Sequence, residues 1–361
     1  MKCISIALAL LISIPVSQNA SGQNPESFER ITPEQAGYSS EKLDGLRSLL
    51  EESGSDSLLL LHDGKVFFEW GNIHKKILVH SIRKALLNSL YGGYEKQGLI
   101  DLQKNLAELG IDDTPDPLTA REREATLADV LKSRSGVYHP AAAESEGMIQ
   151  ARPMRGSKTP GEFYYYNNWD FNVAGAVFEM GSGMRIYDAF YEKIAKPIGM
   201  ADYKNNIIEF TGSPSEIDAD ADGYYQFEPD RSKYPAYHFR LSANDLALFG
   251  QLYLNRGIWN SAEIIPSGWI DRSTQPYSIV NPDYGLAYGM LWNVLVPENP
   301  EEVPSFYHTG VGVHMLGVYP KHKLVMVHRV DTERDFDFDD GDLYAIIRMV
   351  HGARMKSPAA E

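Results

Sequence analysis

The chain has 361 residues, a formal net charge of −15 and a single cysteine. This length allows one large domain or two smaller ones with a hydrophobic core. The acid excess would repel a phosphate backbone and argues against nucleic acid as a partner, and the lone Cys3 argues against disulfides, a catalytic thiol or a thiolate metal site.

The N-terminal segment has the pattern of a secretory signal peptide. Lys2 gives a short positive region, Cys3–Val16 is an apolar run too short to span a bilayer, and residues 20–22 (Ala-Ser-Gly) resemble a cleavage site. We therefore expect removal of residues 1–22, with cleavage near Gly22, and a secreted or periplasmic mature protein without a stable membrane span. An uncleaved N-terminal anchor is the alternative.

The next part of the chain predicts a helix, a hairpin and a long helical region. Ser39 caps an amphipathic helix that ends at Gly54. Two apolar runs then flank Asp63-Gly64, a pair typical of a tight hairpin turn. Residues 81 to about 275 are dominated by helical patterns that end at glycines.

The last part returns to strands, with a turn at residues 320–323 and a final helix from about Asp342 to Met349. The simplest architecture is α/β (α+β), with an antiparallel sheet flanked by N- and C-terminal helices and a mostly helical inserted domain. The sheet domain would comprise residues 23–80 and 276–361, and the insert residues 81–275. A cleft between the two parts is the natural place for a site.

The chain contains two Ser-x-x-Lys sequences, Ser39–Lys42 and Ser81–Lys84. The first is explained by a helix cap with its lysine in solvent. The second opens an apolar helix that we expect to be buried, and its lysine falls on the same face as the serine. The helix dipole and the lowered pKa of a buried lysine would both activate the hydroxyl, although a plain N-cap is the alternative for Ser81.

Two further short motifs contain polar residues suited to catalysis or binding. Tyr166-x-Asn168 follows a Pro-Gly pair and precedes an amphipathic helix, whereas a second match, Tyr203-x-Asn205, lacks this frame. The tripeptide at residues 308–310 (His-Thr-Gly) lies at or near a strand, where glycine lets a ligand approach the backbone. Each motif alone is weak evidence.

Taken together, the motifs occur in the order typical of one large family. They are Ser81-x-x-Lys84, Pro160-Gly161 with Tyr166-x-Asn168, and His308-Thr309-Gly310. In this order they resemble the serine β-lactamase and penicillin-binding superfamily, most closely the branch of class C β-lactamases, D-alanyl-D-alanine carboxypeptidases and esterases. The resemblance covers about residues 30 to 350. It implies a β-lactamase/transpeptidase-like fold and a serine hydrolase that works through an acyl-enzyme without a cofactor.

The resemblance also implies a role for each motif residue. Ser81 would attack an acyl carbon, and Lys84 and Tyr166 would share the proton transfers, with the first base left open. The backbone N–H groups of Ser81 and Val311 would form the oxyanion hole. The other residues expected to bind substrate are Asn168, which would orient the lysine or bind the substrate's amide or acyl group, His308 and Thr309 on the leaving-group side, and Gly310.

Two departures from the family pattern bear on specificity. Many members have lysine where this chain has His308, and Thr or Ser where it has Val311. A histidine is only partly charged near neutral pH, so binding of a substrate carboxylate would depend on pH. We expect weak or no β-lactamase activity and an esterase, amidase or D-amino-acid peptidase acting on a small ester, amide or peptide. A catalytically silent penicillin-binding-like or cell-wall-binding module is the alternative.

Two acidic stretches and a group of histidines are weaker candidates. Residues 218–230 begin like a calcium loop, but position twelve is Pro229 instead of glutamate, so a solvated loop is expected. Residues 331–342 are interpreted as a solvated, charge-rich turn. The histidines at 308, 314, 322 and 328 match no zinc spacing, and we expect no metal.

Overall fold

The structure is a computed structural model that describes residues 28–212 and 217–355. The predicted signal peptide, residues 1–22, lies outside these residues and stays a prediction. Within the two described ranges, no helix combines the length and the apolar character needed to cross a membrane.

The described residues form a mixed α/β structure. The strands are, in chain order, β1 (Ser57–His62), β2 (Lys65–Gly71), β3 (Ile77–Leu78), β4 (Ile207–Thr211), β5 (Gly223–Phe227), β6 (Ala236–Leu241), β7 (Ile258–Trp259), β8 (Ala262–Glu263), β9 (Ser278–Asn281), β10 (Leu286–Tyr288), β11 (Asn293–Leu295), β12 (Ser305–Gly310), β13 (His314–Tyr319) and β14 (Leu324–Arg329). The helices are α1 (Ser40–Glu52), α2 (Arg83–Lys96), α3 (Leu127–Leu131), α4 (Glu146–Ala151), α5 (Asn168–Ser182), α6 (Ile186–Phe190), α7 (Lys196–Ile198), α8 (Ala243–Leu254), α9 (Ser267–Ser273) and α10 (Asp340–Gly352).

An eight-stranded sheet, ordered β2-β1-β14-β13-β12-β11-β10-β9, joins the two ends of the chain. All its neighbouring strands are antiparallel. The predicted hairpin is confirmed, since β1 pairs with β2 through Asp63 and Gly64, whose φ angles are +49° and +79°. Positive φ at both central residues matches the right-handed twist of the paired strands.

The sheet is covered on both faces, which explains the uninterrupted leucines of β1. Leu58 and Leu60 pack with the terminal helices α1 and α10, whereas Leu59 and Leu61 belong to the larger core on the other side. Ser39 caps α1 as expected. Lys42 was expected to point to solvent, but its Nζ donates to the carbonyl oxygen of Gly352 at 2.9 Å and so ties α1 to α10.

The region predicted as a mostly helical insert contains helices α2 to α9 and also strands that the sequence analysis did not predict. Strands β3, β6, β5 and β4 form a second, four-stranded sheet in that order. The fold class is confirmed as an antiparallel sheet with flanking helices and an inserted region, while the exact boundaries at residues 80 and 275 stay predictions.

The calcium-like stretch is part of this second sheet. The carboxylate of Asp222 accepts from Nζ of Lys76 at 2.7 Å and from the backbone N–H groups of Lys204 and Asn206. Arg240 binds the carbonyl oxygens of residues 218, 219 and 221. Asp222 therefore anchors the loop, and the described residues bring no three metal-ligating side chains together at this or any other place.

Arg329, fully buried at the end of β14, connects the two sheets. Its guanidinium donates to the carbonyl oxygens of Leu241, Ile77 and Leu78 at 2.6, 2.8 and 3.0 Å. Burial lowers the pKa of Arg329 to about 9. The bonds to Ile77 and Leu78 hold β3, and with it the segment that leads into residue 81, against the large sheet, and the bond to Leu241 does the same for β6.

We expect Arg329→Met to destabilise the protein by roughly 2–4 kcal/mol, because three buried carbonyl oxygens lose their donor. The loss is limited because the substitution also removes the cost of burying a charge. Urea unfolding followed by circular dichroism would measure this loss. Arg47→Met, on the surface of α1, is the control and should change the free energy of unfolding far less. Equal effects of the two substitutions would contradict the role given to Arg329.

Candidate active site

A short 3₁₀ turn, His80–Ile82, holds Ser81 between the two sheets. On one side, the N–H of Val79 donates to the carbonyl oxygen of Phe239 in β6 at 2.9 Å. On the other side, β12 packs so closely that a Cβ on Gly310 would lie 2.7 Å from the carbonyl oxygen of Val79. The serine is therefore flanked by β6 and β12.

His80 holds the turn in an uncommon backbone conformation. Its φ angle is +46°, a region that non-glycine residues rarely adopt without compensating contacts. Its Nε2 hydrogen-bonds the hydroxyl of Thr332 at 2.7 Å, and its ring stacks on that of His314 at 5.4 Å. The stretch 331–342 was expected to be merely solvated, and this expectation is wrong for Thr332, which supports the turn.

Ser81 and Lys84 are in direct contact. Nζ of Lys84 lies 2.8 Å from Oγ of Ser81, and neither the 3₁₀ turn nor α2 has a side-chain cap. The alternative interpretation of Ser81 as a plain N-cap is therefore wrong. Lys84 is 1% exposed and lies 4.7 and 4.5 Å from the ring centroids of Tyr166 and Phe171. Burial, reinforced by the neighbouring Arg83, lowers its pKa well below the usual range.

Tyr166 lies beside the same pair. Burial raises the pKa of its phenol, while a hydrogen bond with the Ser81 hydroxyl and the charge of Arg83 lower it less strongly. Tyr166 is therefore a neutral phenol near neutral pH. The second Tyr-x-Asn match behaves differently, because Tyr203 is packed in the core with its hydroxyl 3.3 Å from Oδ1 of Asn205.

Asn168, the first residue of α5, faces the same space but does not hydrogen-bond Lys84. Its Nδ2 donates to the carbonyl oxygen of Ala143 at 2.5 Å. Its Oδ1 is buried and has no hydrogen-bond partner. The expectation that Asn168 orients the lysine is not met, and the free acceptor is available to a donor on a ligand.

The third motif contributes only part of what was expected. Thr309, Gly310 and Val311 line the cavity at the end of β12, but the His308 side chain is 1% exposed and is not among the lining residues. Its Nδ1–H donates to the carbonyl oxygen of Thr309 at 2.9 Å. Burial and the charge of Lys84 lower its pKa to about 3. The expected partial charge near neutral pH is therefore wrong.

These groups surround a cavity of about 330 Å³. Its lining includes seven of the eight predicted site residues, and His308 is the predicted residue that does not line it. The lining residues are His80, Ser81, Arg83, Lys84, Ala143, Ser145, Met148, Tyr166, Asn168, His238, Asn293, Thr309, Gly310 and Val311. Sequence reasoning missed Arg83 and His238, although the position of Arg83 inside the Ser-x-x-Lys motif could have indicated it.

Because the folded-state pKa of His308 is about 3, the ring is uncharged throughout the neutral range and takes a proton only as the pH falls toward that value. We expect KM for carboxylate-bearing substrates not to improve through His308 on acidification from about pH 8 to about pH 6. His308→Gln should leave this part of the pH profile of KM unchanged, as should the control His74→Gln at an exposed histidine. A fall in KM on acidification that His308→Gln alone abolishes would contradict the burial argument.

Comparisons with known proteins place this chain in a family. Residues 54–347 match the family described as Beta-lactamase. A search of curated proteins finds no match. Similar solved structures include a Bacillus anthracis protein assigned as a 6-aminohexanoate-dimer hydrolase, with 18% identity, a TM-score of 0.64 and coverage of 92% of this chain and 89% of that one.

Two further structures have the same fold. The D-alanine carboxypeptidase AmpC from Burkholderia cenocepacia is 16% identical, with a TM-score of 0.61 and coverage of 87% of this chain and 99% of that one. The octameric penicillin-binding protein homologue from Pyrococcus abyssi is 18% identical, with a TM-score of 0.62 and coverage of 87% and 78%. With the family match spanning most of its length, this chain belongs to the beta-lactamase family and has the serine hydrolase fold of that family.

Proposed function

We propose that the protein is an exported serine hydrolase that cleaves a small ester or amide through an acyl-enzyme on Ser81. The observation that carries this proposal is the 2.8 Å contact between Oγ of Ser81 and Nζ of a buried lysine at the wall of a cavity. A lysine with a lowered pKa can accept a proton from the hydroxyl it contacts. Export is supported by the signal-peptide pattern of residues 1–22.

The two candidate bases for acylation, Lys84 and Tyr166, differ in pKa. Lys84 has a lowered pKa and Tyr166 a raised one, which favours the neutral amine over a tyrosinate as the first base. Oγ of Ser81 forms a bond to the carbonyl carbon while its proton moves to Nζ of Lys84. The N–H groups of Ser81 and Val311 are the donors for the oxygen that becomes negative.

Collapse of the tetrahedral intermediate breaks the bond to the leaving oxygen or nitrogen. The leaving atom takes a proton from the hydroxyl of Tyr166, which recovers it from Lys84. In deacylation, a water molecule gives its proton to the same pair and adds to the acyl carbon, and Oγ of Ser81 departs with a proton. Atoms and charges balance in each half, and the products are a carboxylic acid and an alcohol or amine.

The third motif supports an esterase or amidase with weak or no β-lactamase activity. With His308 buried and neutral, the β12 side of the cavity has no cation for a carboxylate on the leaving group. Val311 adds no hydroxyl there. Among the similar structures, one is assigned as an amide-dimer hydrolase and another is named a carboxypeptidase, so amides and peptides stay within the proposed range of substrates.

A catalytically silent binding module is the second candidate function. A protein that only binds has no need for a buried lysine against the serine, because the burial of Lys84 costs free energy that binding alone would not repay. The contact between Ser81 and Lys84 therefore favours turnover.

We expect a fluorophosphonate to label Ser81 alone, and p-nitrophenyl butyrate to be hydrolysed much faster than penicillins. Intact mass and peptide mapping locate the label, and absorbance gives the rates. Ser81→Ala should abolish both labelling and turnover, whereas Ser39→Ala, in the other Ser-x-x-Lys sequence, should retain both. Label on Ser39, or efficient hydrolysis of β-lactams without esterase activity, would refute the proposal.

We expect Lys84→Met and Tyr166→Phe each to lower kcat by roughly three orders of magnitude, and the double variant to lose little more, because residues that act on one proton are not additive. The controls are Lys42→Met and Tyr203→Phe, which change the second copy of each motif outside the cavity. Losses that multiply in the double variant would show that Lys84 and Tyr166 act independently. Circular dichroism checks that each variant is folded.

A further inference from the structure

Arg83 is a buried cation at the cavity wall without a negative partner. It is 2% exposed and lines the cavity beside Ser81. Its guanidinium donates to the carbonyl oxygen of Tyr237 at 3.2 Å and to Oδ1 of Asn172 at 3.1 Å, and it lies 4.4 Å from the ring centroid of Tyr237. These partners are uncharged, and the ion pairs among the described residues include none to Arg83. Buried charges in proteins are usually paired with an opposite charge.

The neighbouring His238 is also incompletely satisfied. It is 7% exposed, lines the same cavity, and neither ring nitrogen has a hydrogen-bond partner. Its ring stacks on Tyr224 at 4.6 Å, which fixes its plane. Burial and the charge of Arg83 lower its pKa, so the ring is neutral, with one N–H to donate and one nitrogen to accept.

The cavity holds Arg83 as a fixed cation and Lys84 as a second basic side chain, and none of its described lining residues is an aspartate or glutamate. Glu144 follows a lining residue in the chain, but its carboxylate is bound by Arg152 and Arg231. The wall is therefore positive, in a protein whose net charge is −15. A desolvated positive wall favours an anion that brings its own acceptor oxygens.

The position of Arg83 and His238 in the cavity determines which part of the substrate they contact. Ser81 lies between β6 and β12, and His238 and the partners of Arg83 lie on β6 and α5. The third motif occupies the β12 side, where the leaving group is placed in the proposed function. The β6 side therefore receives the acyl group.

We propose that the preferred substrate has a carboxylate on its acyl group, and that Arg83 and His238 bind it. The substrate class is a half-ester or half-amide of a dicarboxylic acid, or an acyl group of equivalent charge. This inference rests on the proposed function, because it assumes acyl transfer to Ser81, and it adds the chemistry of the acyl side.

The test compares three 4-nitrophenyl esters with the same leaving group and acyl chains of similar length. The acyl group ends in a carboxylate (the adipate half-ester), in the matching carboxamide, or in an ammonium (the 6-aminohexanoate ester). We expect kcat/KM for the carboxylate to exceed that for the carboxamide about tenfold to a hundredfold, as for hydrogen bonds to a charged group, and the ammonium to be the poorest substrate. A carboxylate no better than the carboxamide would overturn the inference.

Variants test the residues through the ratio of carboxylate to carboxamide kcat/KM. This ratio cancels any general effect of Arg83 on Lys84. Arg83→Gln should lower the ratio about tenfold or more, Arg83→Lys should restore part of it, and His238→Phe, which keeps the ring, should lower it severalfold. Lys193→Gln, which removes an exposed charge outside the cavity, should leave the ratio unchanged. An unchanged ratio in folded Arg83→Gln would overturn the inference.

Two further measurements separate the remaining outcomes. Butyryl esters of 4-hydroxybenzoate and 4-hydroxybenzamide place the charge on the leaving group, and a preference there that Arg83→Gln abolishes would refute the assignment to the acyl side. If Arg83→Gln does not fold, competitive inhibition of the unaltered protein decides, since adipate should inhibit about tenfold more strongly than adipamide. Equal inhibition refutes the inference. The proposed function is tested separately. If the protein hydrolyses neutral esters and a fluorophosphonate labels Ser81, the proposed function stands whichever of these results is obtained.

Discussion

The burial of Lys84 is the constraint around which the site is arranged. An ammonium group with 1% exposure between two aromatic rings, and with Arg83 beside it, has lost most of its hydration and has no carboxylate to replace it. This cost lowers the pKa of Lys84 and so favours its neutral amine, which is the form that can take a proton from Ser81. The same burial keeps Tyr166 protonated and His308 unprotonated, so the site contains one base, one neutral acid and one fixed cation.

The position of Ser81 depends on contacts from distant parts of the chain. The turn that carries it begins with the positive φ of His80, and such strain persists only where the surroundings hold it. Thr332 bonds the His80 ring, Arg329 binds the carbonyl oxygens of β3, and Gly310 allows β12 to approach the turn. Each of these residues lies more than two hundred positions after the serine, so the position of Ser81 is fixed only when the C-terminal strands have joined the sheet.

Sequence patterns predicted those features that depend on local chemistry. The hairpin at Asp63-Gly64 and the cap at Ser39 follow from turn geometry and side-chain bonding to nearby backbone, and both are present. The strands of the second sheet were missed because β6 is buried at every position, which removes the alternation that identifies a half-buried strand. His308 was misjudged because the sequence does not show how deeply a strand residue is buried, and burial keeps the ring neutral. Arg83 was passed over because its partners, Tyr237 and Asn172, come from two other elements.

His308 and Arg83 are the two unusual residues of the site, and they lie on different sides of Ser81. On the β12 side of Ser81 this chain has a neutral, buried histidine, and on the β6 side it has a buried guanidinium. Arg83 places a positive charge beside Lys84 and lowers its pKa. Because strands lie on both sides of Ser81, the proposed carboxylate-binding residues on the β6 side can set substrate choice without moving the serine.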